Sequence, residues 1–267
     1  MFGSVQISPG VSLAYEDDYF GEPWGAPPQS IVMVHGNAES SRAWAGWVPH
    51  LSRKYRVLRP DMPGFGASSA PPGYGWTVPE LATDLGRLMD ALSIAKCHLV
   101  AAKYGGSVAM RFAIDHANRL LSLSLFGSPV RGSGSGNADK IKALGVRGWA
   151  ANTQRARLGS AASDAQIAWW TDMMATANPR AAFAASSARI EMDLEQELGR
   201  ITCPTLIVTT KESGLQSVAA VESYARQMRD ARVIVLPGDS YHIAAVEPDL
   251  CAGHLLDFLQ DRAESTK

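Results

Sequence analysis

Disulfide bonding, membrane insertion and polyanion binding all find little support in this sequence. Its 267 residues contain three cysteines, Cys97, Cys203 and Cys251, an odd number without the CxxC spacing of a metal or redox motif. Each lies in an apolar segment, which reads as a buried structural thiol. No run of about 18 consecutive apolar residues occurs, so no membrane-spanning helix is expected. The opening MFGSVQISPG lacks the basic start and apolar stretch of a secretory leader. The chain is therefore expected to be soluble and cytoplasmic, without a membrane partner. Twenty-five Lys and Arg against 26 Asp and Glu leave a formal charge of −1, and the basic residues are scattered. That distribution argues against a nucleic-acid partner. There is no internal repeat, and RGSGSGNA at 131–138 reads as a flexible connector.

What is present is a long alternation of strand and helix patterns. SVQIS and SLAYE open the chain, followed by SIVMVHG, the amphipathic SRAWAGWVPHLSRK, and YRVLRPDMPGFG. A helix over about Val78–Ala91, a strand KCHLVAA, a helix from Gly105 to about His116 and a strand LLSLSLFG continue it. After Gly134 the pattern turns to Ala-rich helices through Leu198. CPTLIVTT, a helix near Val218–Met228, ARVIVLPG and a final helix then restore the alternation. These features predict a mostly parallel eight-stranded α/β sheet flanked by helices. The core is expected to comprise 1–130 and 199–267, with a helical cap inserted at 131–198.

The stretch LVAAKYGGSVAMRFA, residues 99–113, has the outline of a strand passing into a helix through a sharp turn. Small residues, Ala101 and Gly105, flank the turn where the two backbones must approach closely, and Lys103 stands at its centre. Together with VHGNAES, RPDMPGFGAS and LPGDSYHIAAVEP, this turn resembles the α/β-hydrolase superfamily over essentially the whole chain. The branch it resembles holds haloalkane dehalogenases, enol-lactonases and C–C hydrolases. In that family a nucleophile, usually serine, occupies the centre of the turn; here it is a lysine. Dehalogenation needs a carboxylate there, which Lys103 cannot supply.

The resemblance implies further roles. Asn37 or Ala38, in the loop after VMVHG, and Tyr104, after the turn, would supply the oxyanion-hole amides. His242 matches the catalytic histidine and would be the general base; His35 is expected to anchor its loop, and His50, His98, His116 and His254 to be surface or structural residues. The third member, an acid, falls on Ser213 in strict alignment, with Glu212 one residue earlier; Glu212 is the candidate if the loop is shifted. Gly127 and Ser128, at the alternative position, offer no carboxylate.

Lys103 admits three readings. A desolvated amine near an imidazole could form a Schiff base in a lyase or retro-aldol reaction. A protonated lysine could stabilise an enolate or oxyanion while His242 moves the proton. Or the site could be inactive, through divergence to ligand binding or replacement of a serine. AQIAWWTDMMATANP places Trp169, Trp170 and Met173 at helical spacing, and these with Trp44 are candidate pocket residues. A small, largely apolar carbonyl substrate would follow, cleaved at an ester, lactone or activated C–C bond. No metal or organic cofactor is implied, and a monomer or homodimer is expected.

Overall fold

Strands buried along their whole length form the centre of the sheet, and strands with alternating burial form its edges. In the computed structural model, which describes residues 1–132, 134 and 136–264, the strands are β1 (Phe2–Ser8), β2 (Val11–Asp18), β3 (Ser30–Val34), β4 (Arg56–Pro60), β5 (Cys97–Ala102), β6 (Leu120–Phe126), β7 (Thr205–Thr210) and β8 (Ala231–Leu236). They form one eight-stranded sheet in the order β1-β2-β4-β3-β5-β6-β7-β8. β1, β2 and β4 pair antiparallel, and every pairing from β4 to β8 is parallel. SIVMV, CHLVAA and TLIVTT in β3, β5 and β7 are buried at every position, as strands covered on both faces must be. β8, at the edge, is exposed or half-buried except at Leu236.

The helices are α1 (Val48–Leu51), α2 (Val78–Ala91), α3 (Tyr104–Asp115), α4 (Gly136–Leu158), α5 (Asp164–Ala175), α6 (Pro179–Ala188), α7 (Val218–Ala225), α8 (Ile243–Val246) and α9 (Pro248–Glu264). Their starts follow local chemistry. Thr77 caps α2 by accepting from the Glu80 amide, and Ser163 and Gln166 form a reciprocal capping box on α5. Two apolar clusters lie on opposite faces of the sheet. One contains α2, α3 and much of α4–α6; the other gathers Trp44, Trp47, Phe126 and α9 residues such as Leu255 and Phe258. Among the described residues no helix is long and apolar enough to cross a membrane.

Two local expectations need correction. SRAWAGWVPHLSRK is not one amphipathic helix: Ser41–Trp47 is 3-10 helical and only Val48–Leu51 is α. The tighter winding stacks Trp44 and Trp47, three residues apart, on one face, where they meet edge to face at 5.3 Å. α4 is interrupted at Gly145, whose φ of 68° and ψ of 175° no helix accommodates. α4, α5 and α6 fill the segment between β6 and β7. The connector read at 131–138 includes Ser133 and Ser135, which lie outside the described residues.

At Gly105 the turn and the end of β3 approach closely: a side chain there would overlap the carbonyl oxygens of Val34 and His35. Gly105→Ala is expected to lower stability by about 1–3 kcal/mol through overpacking. Gly253→Ala, in α9 with nothing within 4 Å of an added Cβ, should be neutral or stabilising by up to about 1 kcal/mol. Urea denaturation of both variants checks the contrast; equal effects would remove the close-approach explanation.

Candidate active site

β5 delivers the chain from the buried centre of the sheet directly to Lys103, and α3 begins at the next residue. Lys103 has φ 52° and ψ −123°, a conformation that costs a non-glycine residue of the order of 1–3 kcal/mol. Its backbone is held on both sides: the Lys103 amide donates to Phe126 O at 3.1 Å, and the Gly106 amide donates to Lys103 O at 3.0 Å. The side chain thus projects above the C-terminal end of the sheet, as the sequence predicts. What it meets there is different from expectation.

The Lys103 ammonium donates to Glu39 Oε1 in a close ion pair. Glu39 belongs to the loop after β3, its side chain is 0% exposed, and its Oε2 accepts from the Gly36 amide at 2.9 Å. His242 reaches the same carboxylate from the opposite side, following β8, with Nε2 3.1 Å from Glu39 Oε1. That contact lies off the line an imidazole hydrogen bond requires, so neither ring nitrogen of His242 has a hydrogen-bond partner. The His242 ring instead lies edge to face with Trp170, 4.8 Å between centroids.

Burial and charge set the protonation states. Burial, with the Arg157 and Arg189 charges, brings Lys103 down to about 8 against the pull of Glu39. Burial and the Lys103 charge push His242 down to about 4, so its imidazole is neutral at pH 7. Burial disfavours the charged form of Glu39, but Lys103 and His242 outweigh it and hold the carboxyl well below its usual range. The centre is therefore a carboxylate and an ammonium beside a neutral imidazole.

Glu39 escaped the sequence reading although it stands inside the quoted VHGNAES motif. A signal was available: a lysine buried at the turn requires a counter-ion, and Glu39 is the carboxylate of the adjoining loop. Glu212, by contrast, is exposed and makes no contact with His242; its amide donates to Gly238 O at 3.0 Å. Ser213, on which strict alignment puts the acid position, carries no carboxylate, and its Oγ accepts from the Leu215 amide.

The loop after β3 is rigidly held. His35 Nδ1 meets Gly36 O at 2.7 Å and its Nε2 accepts from the Met62 amide at 2.9 Å, which fixes a neutral ring and anchors the loop. Ala38 takes φ 59° in the turn. The Asn37 side chain donates to Ala182 O and Ser186 Oγ of α6, leaving Oδ1 buried without a partner. Tyr104 points its hydroxyl away, to Trp76 O at 2.7 Å, while its amide opens α3 and has no acceptor within the helix.

A cavity of about 220 Å³ adjoins Lys103, lined by Asn37, Tyr104, Trp149, Arg157, Arg189 and Tyr241 among others. The expected pocket residues are elsewhere. Trp44 is in the core on the other face of the sheet, Met173 is buried in the cluster of α4–α6, and Trp169 is 40% exposed beneath Arg42. Trp170 touches His242 but does not line the cavity. The cause is rotational: periodicity marks the apolar face of α5, but that face packs into the α4–α6 cluster. The cavity wall comes instead from α4, from α6 and Arg189 just beyond it, and from loops of the core, and three cationic side chains, Lys103, Arg157 and Arg189, line it.

A strand-to-helix turn facing a histidine that follows the last strand, in a sheet of this order, defines the α/β-hydrolase class. The chain belongs to that family: residues 29–167 match the α/β-hydrolase fold. It is 33% identical over 129 residues to 2-hydroxy-6-oxo-2,4-heptadienoate hydrolase of Pseudomonas putida, covering 47% of this chain and 44% of that protein. Identity is also 33% over 129 residues with 2-hydroxymuconate semialdehyde hydrolase of a Pseudomonas species, covering 47% of this chain and 43% of that one. The chain thus spans less than half the length of these relatives. Against the solved enol-lactonase of Burkholderia xenovorans the TM-score is 0.83, with 26% identity, 94% of this chain and 97% of that chain.

The ion pair sets a stability expectation. Glu39→Gln leaves Lys103 buried without its counter-ion and should cost about 3–5 kcal/mol, read by urea denaturation at pH 7. A double variant, Glu39→Met with Lys103→Met, should recover most of that loss. If Glu39→Gln alone were neutral, the carboxylate would not be the counter-ion that holds Lys103.

Proposed function

We propose that this member of the α/β-hydrolase family cleaves a small carbonyl compound at an ester, lactone or activated C–C bond, with Lys103 acting as an ammonium rather than as a nucleophile. The observation that carries this reading is the ion pair: Lys103 lines the cavity with its charge held by Glu39. With Lys103 near 8, about nine-tenths of it is protonated at pH 7. An ammonium there stabilises negative charge on a substrate oxygen, together with the amides of Asn37 or Ala38 and of Tyr104.

His242 is the base of this proposal. It is neutral at pH 7, and Tyr241, the residue before it, lines the cavity, so the proton of the attacking water or carbon acid passes to the imidazole once substrate and water fill that space. α4–α6 act as the cap that closes the cavity. The relatives named as a 2-hydroxy-6-oxo-2,4-heptadienoate hydrolase and an enol-lactonase support the substrate class, since cleavage next to a carbonyl and opening of an enol lactone both develop charge on a carbonyl or enol oxygen.

A second reading rests on the same lysine. Its lowered pKa favours the free amine above about pH 8, where attack on a ketone would give a Schiff base. The two readings differ in sign. An ammonium must be protonated and His242 unprotonated, so activity should be highest between about 4 and about 8 and fall as pH rises through the Lys103 value. A nucleophilic amine requires activity to rise through the same pH.

The test is a pH-rate profile on a panel of esters, enol lactones and vinylogous 1,5-diketones, with borohydride added in parallel. Expected results are a profile falling above about 8, no reduced adduct on Lys103, partial activity in Lys103→Arg and none in His242→Ala. A stable adduct on Lys103 with a rising profile would replace the first reading by the second. Saturable binding of the panel without turnover would leave a ligand-binding protein.

A further inference from the structure

The cavity holds the charge of Arg157 beside the ion pair of Lys103 and Glu39. Lys103, Arg157 and Arg189 all line it, and Glu39 answers the charge of Lys103. Arg157, on α4, is 5% exposed. Its Nε donates to Thr153 Oγ1 at 3.1 Å, and its guanidinium carbon lies 4.3 Å from the centre of the Trp149 ring. Trp149 is itself held by its Nε1 donating to Asn137 Oδ1 at 3.0 Å. Among the described residues no carboxylate pairs with Arg157.

A buried charge without a partner costs several kcal/mol, and a guanidinium stacked on an indole and tethered at Nε is set in one orientation. The remaining N–H groups form a planar fork, which matches the two oxygens of a carboxylate. We propose that Arg157 is the specificity-determining residue of this cavity and recognises a carboxylate on the substrate, so that the ligand is a small oxo- or ester-bearing acid held at one end by Arg157 and at its carbonyl by Lys103. This rests on the reading of the cavity as the substrate site.

Position couples the two ends. The Arg157 carbonyl accepts from the His242 amide at 3.0 Å and from Ser240 Oγ at 3.0 Å, so the recognition residue and the histidine loop are joined through the backbone. Arg157 is also one of the charges that lower Lys103. A carboxylate seated on Arg157 cancels that charge and raises Lys103, keeping it an ammonium while the acid is bound. Neutral analogues lack that effect.

Binding, measured apart from turnover, is the test. Titration calorimetry at pH 7 uses succinate, dimethyl succinate and inorganic phosphate on the wild-type protein, Arg157→Gln and Arg157→Lys, with thermal midpoints to check folding. Succinate should bind, and dimethyl succinate roughly 10–100-fold more weakly, the loss of a charge-assisted pair. Arg157→Gln should lose succinate to a similar degree, while Arg157→Lys, which keeps the charge but not the fork, should fall between. In the wild type, Lys103 should titrate at higher pH with succinate present, followed by differential labelling of its amine. Equal binding of the acid and the diester, undiminished binding in a folded Arg157→Gln, or phosphate binding more tightly than succinate would each overturn the proposal. Succinate binding with no turnover on any substrate would sink the enzymatic reading alone and leave the carboxylate subsite standing.

Discussion

The buried ion pair between Glu39 and Lys103 is the constraint on which the rest of this centre depends. Lys103 is 6% exposed, with the sheet and α3 on one side and the cavity on the other, and an ammonium without a counter-ion there would be strongly disfavoured. Glu39 removes that penalty from a loop anchored by His35, by the Gly36 amide and, through Asn37, by α6. The loop, the turn and the helices above them are thereby fastened to one another. The protonation of His242 follows from the same pair, because the Lys103 charge adds to burial in keeping its imidazole neutral.

The arrangement departs from a serine-centred hydrolase in a chemically consistent way. A serine nucleophile needs a base to remove its proton and an acid behind the base to orient it. Here the turn already carries a charge, Glu39 is placed against that charge instead of behind the histidine, and His242 Nδ1 has no partner. The buried carboxylate beside the histidine comes from the loop after β3, and Glu212, in the loop after β7, is exposed. What the scaffold retains is the strained turn, the amide at the start of α3 and a histidine after β8.

Much of the fold is legible in the residues because its causes are local or periodic. Uninterrupted apolar runs mark β3, β5 and β7 as strands covered on both faces, and α2 spans the predicted residues because Thr77 and Pro79 define its start. The small residues at 101 and 105 announce the close approach at the turn. The short 3-10 stretch at Ser41–Trp47 was less legible, since spacings of three and four residues are hard to separate over two turns. The pocket residues were misread for a related reason: an apolar stripe on α5 shows that a face is buried and says nothing about what it is buried against.

By itself, then, the sequence determined the order of strands and helices, the turn with Lys103 at its apex, and the histidine at 242, since each depends on spacing along the chain or on backbone sterics. Only the tertiary structure decided that Glu39, 64 residues before Lys103, would be its partner and that Glu212 would face solvent. Pairing between distant loops is settled by the register of β3, β5, β7 and β8 in one sheet, and by the desolvation that makes a buried cation require a buried anion. The same is true of Arg157, whose charge reaches the cavity because α4 folds back over the sheet with Trp149 beneath it.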